Sequence, residues 1–266
     1  VGAGFYEYEK EYVFATVETL NRDTHLFQYQ PDTFDCIILD EAHHSSNNIY
    51  TKVINYFKPK LFLGMTATPD KRDDNQQGKN IYEIFHYQIA YEIRLQQAME
   101  EDLLCPFHYF GISEIISLDD KMLQATKLTD AAFNQLTSDE RVRHIIEQSE
   151  YYGYSGNRVK GLIFCSRVKE CEELSKKFNE LGYRTVTLSG NDNEDKRQEA
   201  FERLAMDEED ATEDRQPLDY IFSRDILNEG VDIVEVNQVI MLRPTQSPIV
   251  FIQQLGRGLR KAPGKE

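Results

Sequence analysis

Short continuous apolar runs, separated by segments with helical spacing, constrain the fold of this 266-residue chain more than any other feature. A strand buried on both faces is apolar throughout, whereas a strand with one solvated face alternates between apolar and polar residues. Runs of this kind therefore predict a parallel sheet with helices on its faces. The predicted strands are 12–17, 35–39, 60–65, 159–165, 183–188, 218–222 and 236–242.

Helical patterns occupy the intervals between these runs. In "NIYTKVINYF", at 48–57, the apolar residues fall three and four apart, which indicates an amphipathic helix. Farther along, Thr137 and Glu140 have the spacing of a capping box, which predicts a helix from 137 to 152. Gly182 stands where a helix commonly ends. Strand, helix and strand in succession indicate crossover units, so the sequence predicts an α/β fold.

The length of the chain indicates two domains. The stretch 91–111 separates two α/β halves, because a strand-like and a helix-like segment lead there to Pro106 and a run of aromatic residues. We place the boundary near residue 100. This gives a first domain at 1–100 and a second at 101–266.

Composition excludes several classes of protein. No apolar run reaches the length of a membrane span, and no signal-peptide pattern is present. The four cysteines form no C-x-x-C pair, which disfavours a zinc site or a disulfide framework and favours a reducing cytoplasm. We expect Cys36 and Cys165, which lie in apolar runs, to be buried thiols.

The net charge of −16 requires any nucleic-acid surface to be local, and the acidic block at 207–214 is predicted to be a solvated loop.

Polar clusters directly follow three of the predicted strands. Asp40 and Glu41 form the first, "TATP" at 66–69 the second and "SRDILNEGVD" at 223–232 the third. Functional groups of an open parallel sheet collect at the carboxyl ends of its strands. There, one carboxylate can hold Mg²⁺ through water, and its neighbour can take a proton from an attacking water. This placement predicts an active site.

Two further interpretations of the same residues stay open. One is a metal-dependent phosphohydrolase or nuclease that uses Asp40, Glu41, His43 and His44. Adjacent histidines on a regular element point apart, and no H-E-x-x-H spacing occurs, so a metal cage built from protein side chains alone is the weaker hypothesis. The other is a non-catalytic interaction module whose acidic surface binds a basic partner.

The C-terminal stretch "FIQQLGRGLRK" at 251–261 combines arginines with a fixed glycine spacing. Guanidinium groups can stabilise the charge that phosphoryl transfer leaves on the transferring oxygens. Arg257 and Arg260 lie three residues apart, so both can face one side of a helical turn. A basic helix end explains the arginines but leaves the glycine spacing unexplained.

Taken in order, these stretches resemble the motifs of superfamily 2 helicases and translocases. "DEAH" resembles motif II, "TATP" motif III, "LNEGVDI" motif V, and the pattern Q-x-x-G-R-G-x-R motif VI. The resemblance implies ATP and Mg²⁺ as cofactors, with Asp40 holding Mg²⁺ through water. It assigns catalytic roles to Asp40, Glu41, His43, Gln253, Arg257 and Arg260. It assigns ATP-binding or coupling roles to Thr66, Thr68, Gly230 and Asp232.

Three other stretches resemble the nucleic-acid-contacting motifs of the same family. They are "FATVETL" at 14–20, "LIFCSR" at 162–167 and "LSG" at 188–190. The resemblance implies that nucleic acid is bound by Thr16, Ser166, Arg167, Ser189 and Gly190. It also implies two RecA-like parallel-sheet domains in tandem, the first truncated at its N-terminus.

A phosphate loop of the form G-x-x-x-x-G-K-[ST] is missing from the sequence. The family's motif order places this loop upstream of "FATVETL", so we expect a fragment that by itself binds and hydrolyses ATP poorly. The similarity is closest to a bacterial branch that includes restriction-enzyme motor subunits. It favours DNA over RNA, and a role in DNA repair or restriction. The chain also resembles a bacterial group in which a phospholipase-D-like nuclease domain precedes the motor, which suggests such an upstream segment as a partner.

Overall fold

The structure is a computed structural model, and it divides the chain into two compact units, Val1–Glu92 and Ile93–Glu266. The division falls inside the stretch 91–111. Each unit is described by itself below. The described residues are 6–44, 48–67, 81–113, 115, 129–224, 227, 233–243 and 248–265.

The first unit contains a parallel pair of strands, β1 at Cys36–Leu39 and β2 at Leu61–Gly64. The helix α3 at Asn48–Tyr56 connects them, as the strand-helix-strand pattern predicts. Two short helices, α1 at Val17–Leu20 and α2 at Asp23–Leu26, come before the sheet. A small aromatic core holds these elements together, and its fully buried members are Leu26, Tyr29 and Phe57.

Two expectations for the first unit are wrong. Residues 12–16 are not a strand, and Tyr12 and Phe14 are 78% and 87% exposed. The backbone carbonyl of Thr16 instead accepts hydrogen bonds from Thr19 and Leu20, which starts α1 one residue later. Cys36 is exposed rather than buried, because alternate residues of β1 point away from the packed face.

The second unit is built on a four-stranded parallel sheet in the order β4-β5-β3-β6. In chain order the strands are β3 at Gly161–Phe164, β4 at Thr185–Leu188, β5 at Tyr220–Ser223 and β6 at Gln238–Met241. Every pairing is parallel, so all four carboxyl ends lie at one edge of the sheet. This confirms the predicted α/β class, and the polar cluster that begins at Ser223, the last residue of β5, starts at that edge.

Helices cover both faces of this sheet. Ile163 of β3 belongs to a core with Cys171, Leu174 and Phe178 on one face, whereas Leu162 and its neighbours pack on the other. Because both faces are covered, β3 is apolar at every position, as the sequence predicted. In chain order, the remaining helices are α4 at Ile81–Ile84, α5 at Leu95–Glu100, α6 at Asp130–Leu136, α7 at Asp139–Tyr152, α8 at Val168–Glu180, α9 at Glu194–Ala205 and α10 at Pro248–Gly256.

The ends of two helices test the predicted caps. Helix α7 is capped by Ser138, whose hydroxyl accepts the Arg141 N–H at 3.3 Å, and not by the predicted pair of Thr137 and Glu140. Thr137 instead ends α6, where its hydroxyl donates to a carbonyl of the preceding turn. The predicted helix end at Gly182 is confirmed, since this glycine follows α8 with φ of 94°.

Buried charges concentrate at the amino edge of the sheet, opposite the predicted site. Asp219, just before β5, accepts hydrogen bonds from the backbone N–H and the guanidinium group of Arg184. It also accepts one from Arg158, which donates further to three backbone carbonyls. Together these groups tie the starts of β3, β4 and β5 to each other.

The acidic block at 207–214 is not simply a solvated loop. Glu208 binds Arg184 through both carboxylate oxygens, and Asp207 lies 2.8 Å from the Lys160 ammonium group. Arg184 lowers the pKa of Glu208 by hydrogen bonding. Part of the acidity is therefore neutralised within the fold. Throughout the described ranges, every helix is too short or too polar to cross a lipid bilayer.

Candidate nucleotide and nucleic-acid sites

The first candidate site lies where β1 ends. Asp40 is exposed, and its Oδ1 accepts the backbone N–H of Glu41 at 3.0 Å. Glu41 adopts φ of 47°, a left-handed conformation that costs a residue with a Cβ about 1–2 kcal/mol. Strain of this kind persists only where surrounding contacts impose it, and it often marks a functional position. The two carboxylates thus stand at the carboxyl end of the strand.

His43 joins this loop to the segment that follows β2. Its side chain is only 1% exposed, and Nδ1 lies 3.0 Å from the Thr66 hydroxyl and 3.2 Å from the Glu41 carboxylate. Nδ1 therefore stands between the Thr66 hydroxyl and the Glu41 carboxylate. The Ala42 N–H donates to the Met65 carbonyl at 2.8 Å, which fixes the two segments to each other.

The histidine therefore has a specific role as a link within the first unit. Among the residues that the structure describes, no group of three or more His, Cys, Asp or Glu side chains could hold a metal ion.

Thr68 lies outside the described residues. Thr16 is exposed at the start of α1, and its hydroxyl donates to that of Thr19 at 2.9 Å.

Ser166 and Arg167 follow β3 at the carboxyl edge of the second sheet. The Ser166 N–H donates to Glu170 Oε2 at 2.9 Å, and Arg167 stands at the N-cap of α8 in an extended conformation. Glu170 in turn pairs with Arg141. Burial raises the pKa of Glu170, against the opposing effect of Arg141. Both side chains proposed to bind nucleic acid are half-buried at this edge.

Ser189 and Gly190 follow β4 at the same edge. The Ser189 N–H and hydroxyl both donate to Asp192, at 2.7 and 3.1 Å, so this carboxylate holds the turn. Lys196 also donates to Asp192. Burial acts to raise the pKa of Asp192, but the hydrogen bonds from Lys196 and Ser189 outweigh it and lower the value. Arg197 donates to the Gly190 carbonyl at 3.1 Å, which brings a cation to this turn.

The arginines of the C-terminal motif do not lie on a helix, contrary to the prediction. Helix α10 ends at Gly256, and the chain continues in tight turns through Arg257 to Arg260. A side chain on Gly258 would place its Cβ 3.2 Å from a Val239 methyl group, so close packing against β6 favours glycine at this position. Gln253 is half-buried on α10 itself. Gly230 and Asp232 lie outside the described residues.

Lys265 stabilises this turn by hydrogen bonds to backbone carbonyls. Its ammonium group donates to the Arg260 carbonyl at 2.7 Å and to the Val234 carbonyl at 3.3 Å. Burial lowers the pKa of Lys265 to about 8, and burial also lowers the pKa of Arg260. Cys105 adds a second support, since its backbone N–H donates to the Leu259 carbonyl at 2.7 Å. Hydrogen bonds from Lys265 and Cys105 thus hold the turn that carries the guanidinium groups of Arg257 and Arg260.

Sequence reasoning missed several residues of these sites. Glu170 could have been found, because an acidic residue three positions after an N-cap is a known capping signal. Asp192 follows "SG" closely enough to suggest a turn-forming carboxylate. Arg141 and Lys265 leave no local signal, because their partners are distant in sequence.

Two family models match the chain. Residues 5–71 match the model described as Type III restriction enzyme, res subunit. Residues 140–262 match Helicase conserved C-terminal domain. The first match contains the loop with Asp40 and Glu41, and the second contains the four-stranded sheet and the arginine turn.

Curated relatives are similar at low identity over most of the chain. It is 23% identical over 259 residues to the Saccharomyces cerevisiae protein named Putative ATP-dependent helicase IRC3, a match covering 95% of this chain and 35% of that protein. It is 22% identical over 260 residues to the Type I restriction enzyme EcoAI endonuclease subunit of Escherichia coli, covering 88% and 30%. The chain spans less than half the length of the relatives that it matches.

Solved structures show the same fold. A fragment of a putative HsdR subunit of a type I restriction enzyme from Vibrio vulnificus YJ016 superposes with a TM-score of 0.67 at 23% identity, covering 89% of this chain and 42% of that one. The ATP-dependent Type ISP restriction-modification enzyme LlaBIII bound to DNA gives 0.59 at 20% identity, covering 94% and 18%. These likenesses concern the fold alone, and they confirm the expected RecA-like α/β class.

Proposed function

This chain is a superfamily 2 helicase-like protein of the restriction motor-subunit type, and from that premise we propose that it serves an ATP-dependent translocase acting on nucleic acid. One observation carries the proposal. The Glu41 carboxylate at the end of β1 is linked through buried His43 to the segment after β2. A link of this kind lets a change at the nucleotide reach the rest of the domain.

In this proposal the first unit activates water. Glu41 accepts the proton of the water that attacks the γ-phosphate, and its left-handed backbone and its contact with His43 fix the carboxylate. Use of ATP implies Mg²⁺, and the exposed carboxylate of Asp40 fits that ion. Mg²⁺ keeps most of its waters and needs only one or two carboxylates besides the phosphates, so the lack of a larger acidic cluster among the described residues is no obstacle.

In this proposal, arginine side chains of the second unit supply positive charge. We assign Arg257 and Arg260 to stabilising the charge that develops in phosphoryl transfer, since Lys265 and Cys105 brace the turn that presents them. Ser166 and Arg167 are assigned to a nucleic-acid phosphate. The net charge of −16 does not oppose this assignment, because part of the acidity is paired at the opposite edge of the sheet.

The proposed substrate is DNA rather than RNA, because relatives named as restriction enzymes match most of the chain. DNA repair or restriction is the corresponding pathway, and a phospholipase-D-like nuclease segment of the same protein is the proposed partner. The four cysteines are free in the structure, which supports a reducing cytoplasm. Since the sequence contains no G-x-x-x-x-G-K-[ST], we expect this chain by itself to hydrolyse ATP poorly.

The proposal is tested by nucleic-acid-stimulated ATP hydrolysis in the full-length gene product that contains this chain. Glu41→Gln should lower the stimulated rate by about 10²–10⁴-fold, the usual contribution of a general base. The exposed residue Asp32 provides a matched control, and Asp32→Asn should leave the rate unchanged. A full rate in Glu41→Gln would rule out the assigned base.

A binding assay tests the second unit separately. Arg167→Ala should weaken binding of a single-stranded oligonucleotide by this chain and reduce the salt slope by about one unit. The same sequence as DNA and as RNA tests the preference for DNA. Manganese-dependent cleavage of DNA without ATP would instead favour the phosphohydrolase or nuclease alternative.

A further inference from the structure

A buried ion pair joins Arg141 of α7 to Glu170 of α8. Nη1 of the arginine lies 3.0 Å from Oε1 of the glutamate, and the two side chains are 1% and 0% exposed. Removing two charges from water is costly unless each finds further partners with good geometry. The other partners of the pair therefore indicate what it does.

The guanidinium group of Arg141 is held by carbonyls from two other elements. Nη1 donates to the Leu136 carbonyl at 2.8 Å, where α6 ends, and Nη2 donates to the Leu242 carbonyl at 3.4 Å, just after β6. The Leu242 N–H in turn donates to the Phe164 carbonyl at 2.8 Å. The arginine is thus anchored at the carboxyl edge of the sheet, where β3 and β6 end.

The second oxygen of Glu170 acts on the loop that follows β3. Oε2 accepts the Ser166 N–H at 2.9 Å, and a backbone hydrogen bond from Arg167 also reaches this carboxylate. Ser166 and Arg167 precede the first residue of α8, so their N–H groups have no partner within the helix, and this carboxylate fixes the backbone there. The two residues so fixed are those assigned to the nucleic-acid phosphate.

We propose that Glu170 and Arg141 are positioning residues for nucleic-acid binding by Ser166 and Arg167. This inference rests on the proposed function of those two residues. A phosphate contact requires donors that are already held in place, because a loop ordered only on binding loses affinity. An apolar pair of similar volume would fill the same space without leaving an unpaired buried charge, but it could not accept the backbone N–H groups.

Two double variants distinguish the loss of the hydrogen-bond acceptor at position 170 from the loss of the ion pair. Arg141→Met with Glu170→Leu removes both, whereas Arg141→Met with Glu170→Gln keeps an amide oxygen for the Ser166 N–H. Neither variant leaves an unpaired buried charge. We expect the leucine variant to bind a single-stranded oligonucleotide about tenfold more weakly than the unaltered chain, the size of one lost hydrogen bond. The glutamine variant should stay within about threefold, because amide and carboxylate oxygens both accept.

Hydrogen exchange at the Ser166 and Arg167 amides gives a readout that is independent of binding. Exchange should be about tenfold faster in the leucine variant and unchanged in the glutamine variant. Arg184→Met, at the amino edge of the same sheet, controls for general destabilisation and should leave these two amides as slow as in the unaltered chain. If the leucine variant does not fold, Arg141→Met with Glu170→Met replaces it as the variant without an acceptor.

The outcomes distinguish this inference from the function on which it rests. If Arg167→Ala weakens binding while both double variants bind alike and exchange alike, the positioning role is refuted and the phosphate contact stands. If Arg167→Ala leaves binding unchanged, the proposed contact fails and the positioning role fails with it.

Discussion

Asp219 should be a costly charge to remove from the amino edge of the second sheet. It accepts hydrogen bonds from Arg184 at 2.8 Å through the backbone and at 2.8 and 3.3 Å through the guanidinium group. Arg158 adds another at 3.2 Å. Asp219→Asn keeps the volume but turns one end of the side chain into a donor that faces these donors.

The expected cost follows from the burial of the partners. Removing one member of a buried ion pair costs about 3–5 kcal/mol, because a charge is left without compensation. Arg158 is only 8% exposed but keeps its carbonyl partners, and Arg184 is partly exposed and keeps Glu208. We therefore expect Asp219→Asn to cost about 3 kcal/mol, the lower end of this range. For a unit of this size that corresponds to a fall of about 6–12 °C in Tm.

The assay is native-state hydrogen exchange at the slowest amides of β3 and β5, because two units can unfold in separate transitions. Asp139 offers the matched control, since its carboxylate bonds Lys177 but is 72% exposed. Asp139→Asn should leave the exchange of these amides almost unchanged, because exposed ion pairs contribute little to stability. If Asp219→Asn costs no more than this control, the buried network does not hold the amino edge together.

Three further predictions concern other parts of the chain. Gly161→Ala should destabilise the second unit by about 1–3 kcal/mol in urea unfolding, because its Cβ would lie 2.3 Å from the Tyr220 ring. A cost below about 0.5 kcal/mol would contradict that packing. His43→Ala should lower nucleic-acid-stimulated ATP hydrolysis by the full-length product about tenfold while unstimulated hydrolysis changes less, since the link to Thr66 is lost. An equal loss in both rates would show that the histidine does not couple them. The pKa of Lys265 is lowered to about 8 by burial, so between pH 8 and 10 the unfolded chain binds more protons than the folded one. Unfolding free energy attributable to this lysine should therefore rise with pH, and Lys265→Met should lack that slope.

The positions of most strands could be predicted from the sequence, because burial on both faces leaves a continuous apolar run that is visible locally. The strand at 161–164 is the clearest case, with all four residues buried. The same signal failed at 12–17, where an apolar run has no covering layer and two of its aromatic side chains are exposed. Continuity of apolar residues reports burial only where neighbouring elements are present to cover them.

The composition of the site could also be predicted, but its arrangement could not. Asp40, Glu41 and His43 are adjacent in sequence, so their cluster was visible from the start. The contact between His43 and Thr66 spans 23 residues, and only the parallel pairing of β1 and β2 creates it. In the same way, the predicted helical placement of Arg257 and Arg260 was wrong, because α10 ends at Gly256 and tight turns follow it.

The sequence by itself therefore determined the class of fold, the strand ends at which polar groups collect, and the family that the motifs resemble. Tertiary structure alone decided which of those groups are held in place. Glu170 and Arg141 are 29 residues apart, and Arg141 reaches a carbonyl 101 residues away. Contacts across such separations depend on how helices and strands pack, and that packing is a property of the whole domain rather than of any local pattern.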